Sequence, residues 1–378
     1  MSFEFCHLTL TMNILFLTNH LNIGGISKYV LELAGGLKQR GNNVYIASSG
    51  GRLTEEFQNS GIKFIPIPIR TKSELSFKIL ISFFKLLRII KEEKIEILHA
   101  NTRVTQVLSC LLSKILHIPY VSTCHGFFKT RLSRRLWPCW GRTVIAISEE
   151  VKHHLVRDFK LKEQEIKVVR HGIDLSKYCS PSTEYREETK KELGLDKGPV
   201  IGIIARLSQE KGHIYLIRAV KKAKEQVNNI RLIIIGEGRM REKLLTEVNS
   251  LGLEDSVIFF PSVFDTRKFL SVMDVFVLPS LKEGLGLSLM EAMTMSVPVI
   301  GTDIGGIKDL LMNQENGLMV KPGDSFALSQ AILKIISDRT KAESLAKKAK
   351  QFIEKNFTKE KMIVSTEEVY SGCLNIRN

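Results

Sequence analysis

Two cations, Arg206 and Lys211, stand close together in the segment ARLSQEKGH in the second half of the chain. They follow an apolar run at residues 200–204 that predicts a β-strand, and Gly212 then opens the next predicted helix. Open parallel sheets bind ligands beyond the carboxyl ends of their strands, where helix N-termini favour anions. Arginine offers a planar fork and lysine a compact charge, so the pair can hold a diphosphate. Two solvated surface cations are the alternative, and the position after a strand favours the diphosphate.

A glycine-rich loop further along, PSLKEGLGLSLMEAM, predicts a second set of contacts to the same kind of ligand. It follows a strand predicted at residues 275–278. Ser288 can start the next helix, and free N–H groups at residues 286–288 would then point at a phosphate. Glu283 in the loop and Glu291 on the helix can accept hydrogen bonds from a sugar and from ribose hydroxyls. Either carboxylate could instead be an ordinary exposed charge.

The first half of the chain carries a glycine pair and a histidine of interest. Gly24 and Gly25 follow a strand predicted at residues 14–17 and precede an amphipathic helix that ends at Gly41. Glycines let the backbone approach a ligand closely, although an ordinary strand-to-helix turn has the same sequence. The segment lacks the GxGxxG pattern with a ribose-binding acid that indicates a dinucleotide site. His125, in CHG, is by itself compatible with a buried or loop histidine.

Short strands rich in Ile and Val alternate with helical segments along both halves of the chain. They are predicted at residues 14–17, 44–47, 97–100, 121–123, 144–146 and 168–169, and again at 200–204, 232–235, 257–260, 275–278 and 297–300. This alternation predicts an α/β fold with parallel sheets covered by helices. The polar segment SKYCSPSTEYREETKKELGLD separates the two series. We therefore expect domains at residues 1–180 and 181–355, followed by a C-terminal helix at 356–378 that packs back on the first domain.

The composition fits two folded domains with an anionic partner. The 378 residues are 44% hydrophobic and 25% charged, a balance typical of folded proteins, and the length exceeds one ordinary core. A net charge of +15 indicates that the partner is a nucleic acid, an anionic lipid or a phosphorylated substrate.

The cysteines and the apolar runs indicate the compartment. Six cysteines are scattered without a CxxC pair or zinc-type spacing, which predicts a reduced cytoplasmic protein. The N-terminal MSFEFCHLTLT has no basic residue before its apolar stretch, so it is a poor secretory signal, and Met12 is an alternative start. The near-apolar run at residues 79–90 contains Lys85 and Arg88 and is too short to span a bilayer. We expect no integral membrane segment.

Four segments of the second half together resemble the retaining glycosyltransferases of family 4. They are ARLSQEKG, IIIGEGRMREKL, VFVLPSLKEGLGLSLMEAM and VPVIGTDIGGIKDL, and the third has an E-x7-E spacing from Glu283 to Glu291. GGISKYVLELAGGLKQRGNNVYI, CHG, AISEEVKHHL and VVRHGIDLSKY follow the family's order in the first half, so the resemblance covers nearly the whole chain. It implies a hexosyltransferase-like enzyme with the GT-B fold, in which two Rossmann-like doubly wound domains face a cleft. We then expect the first domain to bind an acceptor and the second, which carries the predicted diphosphate ligands, to bind a nucleotide sugar.

The resemblance also implies a role for each candidate residue. Arg206 and Lys211 would bind the donor diphosphate, and the backbone of Gly286, Leu287 and Ser288 would bind its distal phosphate. Glu291 would bind the ribose, and Glu283 would hydrogen-bond the transferred sugar. His125 would lie beside the reacting centre, and Gly24 and Gly25 would face donor and acceptor. Two residues depart from the family pattern. His171 stands where the family usually has Asn, which bears on local interdomain contacts, and Ser296 replaces a Gly, a change that we expect to concern only turn geometry.

The implied reaction is sugar transfer with retained anomeric configuration and with no metal or other cofactor. Fixed cations and a helix N-terminus would stabilise the leaving diphosphate in place of a metal. The expected donor is a UDP-sugar, with GDP- or ADP-sugars possible, and the acceptor is a glycolipid or glycan of the lipid-linked or lipopolysaccharide type. Two alternatives stay open. A nucleotide-sugar epimerase would release an altered donor without an acceptor, and a nucleic-acid-binding protein would use the basic charge, although no recognised motif accompanies it and we expect no nucleic-acid partner.

Two basic and aromatic segments of the first half predict a membrane-facing surface. Residues 70–94 carry seven basic and three acidic residues around an apolar series, and residues 127–142 carry five basic residues with Trp137 and Trp140. Such mixtures suit the headgroup region of an anionic bilayer. For the first segment, an ordinary helix with one buried face is the alternative. We expect a peripheral enzyme at the inner face of the cell membrane, with Arg134 and Arg135 facing lipid.

Overall fold

The protein contains two parallel β-sheets, each packed between apolar layers on its two faces. The computed structural model describes residues 11–179, 181–195 and 198–375. Cys6 and the first ten residues, on which the leader and start-site predictions rest, lie outside this described part, as do residues 376–378 of the predicted C-terminal helix.

The first sheet has seven strands and the second has six. The first consists of β1 (Asn13–Leu17), β2 (Asn43–Ser48), β3 (Lys63–Pro66), β4 (Ile97–Ala100), β5 (Tyr120–Cys124), β6 (Thr143–Ala146) and β7 (Ile166–Val168), in the order β3-β2-β1-β4-β5-β6-β7. The second consists of β8 (Val200–Ile204), β9 (Arg231–Ile235), β10 (Val257–Phe260), β11 (Val275–Leu278), β12 (Val299–Thr302) and β13 (Leu318–Val320), in the order β10-β9-β8-β11-β12-β13. In each sheet the order reverses beside the first strand, so the prediction of two doubly wound Rossmann-like units is confirmed.

Helices connect the strands and cover the sheets. They are α1 (Gly25–Gln39), α2 (Thr54–Asn59), α3 (Phe77–Glu92), α4 (Arg103–Leu116), α5 (Leu132–Leu136), α6 (Glu149–Phe159), α7 (Thr183–Glu192), α8 (His213–Ala223), α9 (Arg241–Ser250), α10 (Arg267–Val272), α11 (Leu287–Thr294), α12 (Ser325–Ser337), α13 (Arg339–Asn356) and α14 (Lys359–Asn375). Short 3-10 turns occur at Glu163–Glu165, Leu175–Lys177, Gln209–Lys211 and Gly305–Ile307. None of the helices in the described ranges is long and apolar enough to cross a bilayer.

Burial on both faces explains the continuous apolar runs of the strands. In β1, Ile14 and Phe16 pack into one cluster while Leu15 and Leu17 pack into another, and all four are fully buried. Successive strand side chains point to opposite faces, so both faces of the sheet must be covered. The same division separates the two clusters around the second sheet.

Two strands, β3 and β13, are absent from the sequence prediction, and two others are displaced. The strand predicted at residues 168–169 is observed at Ile166–Val168. β3 and β13 are short edge strands, and their few apolar residues give little periodic signal. The run predicted at residues 297–300 forms a strand only from Val299 onward, because Pro298 has no N–H to donate to a sheet ladder. Ser296 just before it has φ 58°, a left-handed conformation that favours glycine, so this departure from the family pattern falls on turn geometry as expected.

The last helix, α14, lies on the first domain. The chain returns beside its own outgoing segment, where Ile173 N–H donates to Phe357 O at 2.8 Å and Lys359 N–H donates to Ile173 O at 3.1 Å. Tyr370 then inserts its hydroxyl 2.6 Å from His99 Nδ1, and both side chains are fully buried. The first domain is therefore built from both ends of the described chain.

Candidate active site

The loop after β8 carries the two predicted diphosphate ligands at the start of α8. Arg206 is exposed, and Lys211 is half-buried at the end of the turn Gln209–Lys211. Gly212 begins the helix with φ 69°, and a Cβ there would overlap the carbonyl oxygen of Pro279. Glycine is therefore required at this position by both conformation and space.

Backbone hydrogen bonds join this loop to the one that follows β11. Leu281 N–H donates to Glu210 O at 2.7 Å, and Lys282 N–H donates to the same oxygen at 3.2 Å. Hydrogen bonds from the backbone and from Ser208 lower the pKa of the Glu210 carboxyl, and nearby Arg206 and Lys211 lower it further. The two loops thus form one edge of the second sheet, as the strand positions predict.

Glu283 lies at this edge and forms an ion pair with Lys211, one of the predicted diphosphate ligands. Its Oε2 accepts from Lys211 Nζ at 2.5 Å and from Ser280 Oγ at 3.1 Å, and the side chain is buried. Its carbonyl oxygen accepts from Gly306 N–H at 3.1 Å, which fixes the loop from the other side. Charge-assisted hydrogen bonds of this kind hold the carboxylate in one orientation.

The helix α11 presents free N–H groups beside Glu283. Gly286 precedes it with φ 98°, and its carbonyl accepts from the N–H groups of Leu289 and Met290. The N–H groups of Leu287 and Ser288 have no acceptor within the described part of the chain. The helix begins at Leu287, one residue before the predicted start at Ser288. Gly286, in a left-handed conformation, precedes its first turn.

Glu291, predicted to bind ribose, is buried and accepts a hydrogen bond from across the cleft. The side chain is only 4% exposed. Its Oε1 accepts from Lys28 Nζ, and its Oε2 accepts from Thr266 Oγ1 at 2.7 Å. Lys28 belongs to α1 of the first domain, so this contact joins the two domains. Lys28 was not among the site residues predicted from the sequence, although its place in the first turn after the glycine pair could have indicated it.

The glycine pair lies against the second domain. A Cβ on Gly25 would stand 3.4 Å from Cδ1 of Leu287, at the start of α11. A Cβ on Gly24 would meet no atom within 4 Å, so this residue borders open space. Gly25 therefore faces the second domain close to the helix N-terminus that presents free N–H groups, and Gly24 precedes it at a position where a Cβ would meet no described atom within 4 Å.

His125 follows β5 and lines the first-domain side of the cleft. Its Nε2 lies 3.1 Å from Asn101 Oδ1, and its ring meets Tyr29 edge-on at 4.8 Å between centroids. Burial lowers the pKa of His125 to about 3, so the imidazole is neutral at pH 7. A Cβ on Gly284 would lie 2.7 Å from the carbonyl oxygen of His125, which leaves room only for glycine opposite it.

Two further buried histidines flank His125, and the sequence analysis did not assign either to the site. His99 Nε2 lies 2.6 Å from Thr123 Oγ1, and burial, together with His125, lowers the pKa of His99 to about 3. The ring centroids of His171 and Tyr29 are 5.5 Å apart, and His171 Nδ1 has no hydrogen-bond partner among the described residues. Burial, then Lys28 and His125, lower the pKa of His171 to about 3. His171 thus lies at the domain interface, where it departs from the family pattern.

Arg206 has no ion pair within the described ranges, whereas Lys211, Glu283 and the α11 terminus are brought together directly. No group of three or more His, Cys, Asp or Glu side chains in these ranges has the arrangement of a metal site.

The predicted membrane-facing segments contain a surface that we call the docking surface. It consists of eight exposed apolar residues: Leu75, Phe77, Leu80, Ile81, Phe84, Leu132, Leu136 and Trp137. Arg103 links the two segments that carry them, because its guanidinium donates to Glu74 at 2.9 Å and to the carbonyl oxygen of Trp137 at 2.6 Å. On α3 the opposite face is buried, so the helix has apolar residues on two faces.

The prediction that Arg134 faces lipid is wrong. Arg134 is only 7% exposed, and its guanidinium lies 4.1 Å from the Phe128 ring centroid and 5.2 Å from that of Trp140. Trp140, also expected at the membrane, belongs to the core. Cation–π contacts replace water around the guanidinium, and its burial lowers the pKa of Arg134 to about 10. Arg135 is exposed.

Family profiles match both domains of the chain. The profile described as "Glycosyltransferase Family 4" matches residues 23–177, and the profile "Glycosyl transferases group 1" matches residues 185–352.

Individual proteins match over nearly the full length. The chain is 27% identical to the capsular polysaccharide biosynthesis glycosyltransferase CapM of Staphylococcus aureus, over 89% of this chain and 92% of that protein. It is 26% identical to the UDP-Gal:alpha-D-GlcNAc-diphosphoundecaprenol alpha-1,3-galactosyltransferase of Escherichia coli, over 86% and 87% of the two chains. Among solved structures, Anabaena Alr3699/HepE in complex with UDP-glucose superimposes with a TM-score of 0.86 at 22% identity, covering 96% of this chain and 100% of that one.

Proposed function

Because this chain is a family 4 glycosyltransferase with the GT-B fold, we propose that it transfers a sugar from a UDP-sugar to a lipid-linked or polysaccharide-type acceptor, with retention and without a metal. The named activity of the Escherichia coli relative, which includes UDP-Gal and a diphosphoundecaprenol acceptor, supports both the donor and the acceptor class.

The observation that carries this proposal is the meeting of Lys211, Glu283 and the α11 N-terminus at one sheet edge. Lys211 and Arg206 bind the donor diphosphate, and the N–H groups of Leu287 and Ser288 bind its distal phosphate. The free Oε1 of Glu283 accepts from a hydroxyl of the transferred sugar, since Oε2 is already occupied. Hydrogen bonds hold Lys211, Glu283 and the start of α11 in place before the donor arrives, as electrostatic stabilisation requires.

The proposed chemistry places negative charge where these donors point. As the bond between the sugar and the nucleoside diphosphate breaks, charge accumulates on the bridging oxygen, and Lys211 with the helix N-terminus stabilises it. The acceptor hydroxyl attacks from the same face as the departing diphosphate, and a phosphate oxygen takes its proton. Neutral His125 then contributes a hydrogen bond beside the reacting centre.

Glu291 binds the ribose hydroxyls in this proposal. Both of its oxygens already hold partners, so a ribose must replace or share the contacts with Lys28 and Thr266. Gly24 and Gly25 let the first domain approach the bound donor without a side chain in the way.

A panel of nucleotide sugars, offered with and without polyprenyl-diphosphate-linked glycans, tests the proposal. We expect UDP release that is stimulated by an acceptor and coupled to a new glycosidic bond. EDTA should leave the rate of the chemical step unchanged. A strict requirement for Mg²⁺ or Mn²⁺ in that step would contradict the metal-independent mechanism, and acceptor-independent conversion to an altered sugar nucleotide would favour an epimerase.

The docking surface supports peripheral binding to the cytoplasmic leaflet of an anionic membrane. Phe84, Leu136 and Trp137 are 62%, 77% and 44% exposed. Exposed Lys78, Lys85, Arg131 and Arg135 surround these apolar residues. Apolar side chains that enter the headgroup region, together with cations that meet lipid phosphates, are typical of interfacial proteins. This surface belongs to the domain proposed to bind the acceptor.

A further inference from the structure

A cavity of about 900 Å³ lies between the two domains, next to the loop that carries Glu283. Residues 127–131, which follow β5, form one side with part of α6, and residues 281–283 and 304–305 form the other. We call this space the basic cavity, because six cations line it: Lys129, Arg131, Arg135, Arg157, Lys160 and Lys282.

The positive charge of the basic cavity is not balanced from within. Of its two carboxylates, Asp158 is bonded to Arg157 at 2.9 Å and to His154 at 2.6 Å, and Glu283 is bonded to Lys211 at 2.5 Å. The other five cations have no carboxylate partner among the residues that the structure describes. A concave surface with this excess of positive charge attracts anions.

The backbone that carries the cations is held in place from both domains. His154 Nε2 accepts from Phe128 N–H at 2.9 Å, while its Nδ1 bonds to Asp158. From the second domain, Lys282 Nζ lies 5.2 Å from the ring centroid of Phe127. The segment at residues 127–131 therefore has a fixed path before any ligand binds, which reduces the entropy lost on binding.

The basic cavity connects the docking surface with the proposed reacting centre. Its inner end is Glu283, beside His125. At its outer end, Arg131 and Arg135 line the cavity, while Leu132 and Leu136, their neighbours on α5, are exposed on the docking surface. A molecule anchored in lipid that reaches Glu283 by this route passes the cations.

We propose that the basic cavity binds the diphosphate group of the acceptor, so that the enzyme selects glycans joined to a lipid through diphosphate. This inference rests on the proposed function and adds the residues that recognise the acceptor. The donor diphosphate has separate ligands, since Arg206 and the α11 N-terminus do not line the cavity. A space of this volume accommodates a diphosphate and an adjoining sugar.

Isothermal titration with farnesyl diphosphate, in the presence of saturating UDP, tests the inference. UDP occupies the donor phosphate ligands, so the remaining diphosphate site is measured alone. We expect wild-type protein to bind farnesyl diphosphate at least tenfold more tightly than farnesol or inorganic diphosphate. The Lys129→Gln/Arg131→Gln variant should lose this binding about tenfold, and the Lys347→Gln/Lys348→Gln variant, which removes the same charge from exposed positions on α13, should retain it.

The possible outcomes distinguish failure of this inference from failure of the proposed function. Equal binding of farnesyl diphosphate by both double variants would overturn the inference, as would equal affinity for inorganic and farnesyl diphosphate, which would indicate a site for free phosphate. Displacement of the probe by an oligonucleotide would also overturn it, in favour of nucleic acid. Failure of the wild type to bind UDP would instead contradict the proposed function, and UDP binding is measured first for that reason.

Discussion

Lys28 of the first domain donates a hydrogen bond to Glu291 of the second, on the helix that also presents the free N–H groups of Leu287 and Ser288. Both partners are largely buried, and Thr266 occupies the other carboxylate oxygen. The empty enzyme therefore holds its domains together through a residue that the proposal assigns to the donor ribose. If the donor ribose binds Glu291 as proposed, it and Lys28 share or compete for the same carboxylate.

Replacing Lys28 by Gln should strengthen UDP binding. The substitution frees Oε1 of Glu291, so a ribose hydroxyl no longer has to displace an ammonium group. We expect the dissociation constant for UDP to fall about fivefold, on the order of 1 kcal/mol, measured by isothermal titration. Lys28→Arg, which retains the cation, should bind UDP as the wild type does. Weaker binding by Lys28→Gln would mean that Lys28 itself contacts the nucleotide.

Removing the Lys211 ammonium should weaken nucleotide binding and slow turnover. Lys211→Ala loses a cation that faces the leaving diphosphate, which costs roughly 2–4 kcal/mol of transition-state stabilisation. Arg206→Lys should also be harmful, because lysine cannot reproduce a two-pronged phosphate contact. Initial rates at saturating donor, with UDP affinity measured separately, distinguish the two effects. Wild-type turnover in either variant would remove that residue from the proposed site.

Acid should destabilise the protein through its buried histidines. Burial lowers the folded-state pKa values of His99, His125 and His171 from 6.5 to about 3, so only the unfolded chain takes up protons between these values. Stability is therefore complete above pH 6.5 and is lost as the pH falls toward 3. Each histidine should contribute roughly 1 kcal/mol per pH unit, measured by urea unfolding between pH 6 and pH 5. His171→Asn should reduce this slope by the contribution of one proton, and a slope equal to that of the wild type would refute the assignment.

The docking surface should lose its lipid affinity when apolar side chains are removed. The Leu136→Ser/Trp137→Ser variant should bind phosphatidylglycerol vesicles about tenfold more weakly, because both side chains leave water on docking. Phe326→Ser, at an exposed position of the second domain, serves as the matched control. Co-sedimentation over a salt series provides the measurement, and binding should fall as salt screens the cations. Equal binding to neutral phosphatidylcholine vesicles would argue against a preference of the docking surface for anionic lipid.

Arg134 should behave as a core residue. Arg134→Glu would bury a carboxylate against the faces of Phe128 and Trp140, and we expect it to lower the free energy of unfolding by roughly 3–5 kcal/mol. Arg134→Met fills the same space without a charge and should cost less than about 1 kcal/mol, since Nη1 has no partner to lose. Arg135→Glu, at an exposed position, should leave the melting temperature unchanged. Similar stability for the two Arg134 variants would contradict the packing described here.

Position relative to a strand made part of the candidate site predictable. Lys211 and Glu283 follow β8 and β11, neighbours in the second sheet, and parallel strands bring their carboxyl ends to one edge. Residue type and strand order were therefore sufficient to place them together. The Lys28–Glu291 contact joins residues 263 positions apart and depends on how the domains meet, which local sequence patterns do not determine.

The direction of side chains in short irregular segments was not predictable. Helix α5 has only five residues, too few to show a periodic buried face, so adjacent Arg134 and Arg135 looked equivalent. A cluster of aromatic and basic residues suits both a lipid surface and a cation enclosed by rings, and only the fold distinguishes the two. The short edge strands β3 and β13 were missed for a related reason, since three or four residues carry little pattern.

The return of α14 to the first domain has a consequence for the order of synthesis. His99 precedes the second domain in the chain, yet Tyr370, which closes the core beside it, is made only after that domain. On the ribosome, all six strands of the second domain are synthesised before the first domain can complete its own interior. A nascent chain therefore holds an unfinished first domain until α14 has been made, and premature termination before α14 would expose the apolar face of α1 that contacts Ile363.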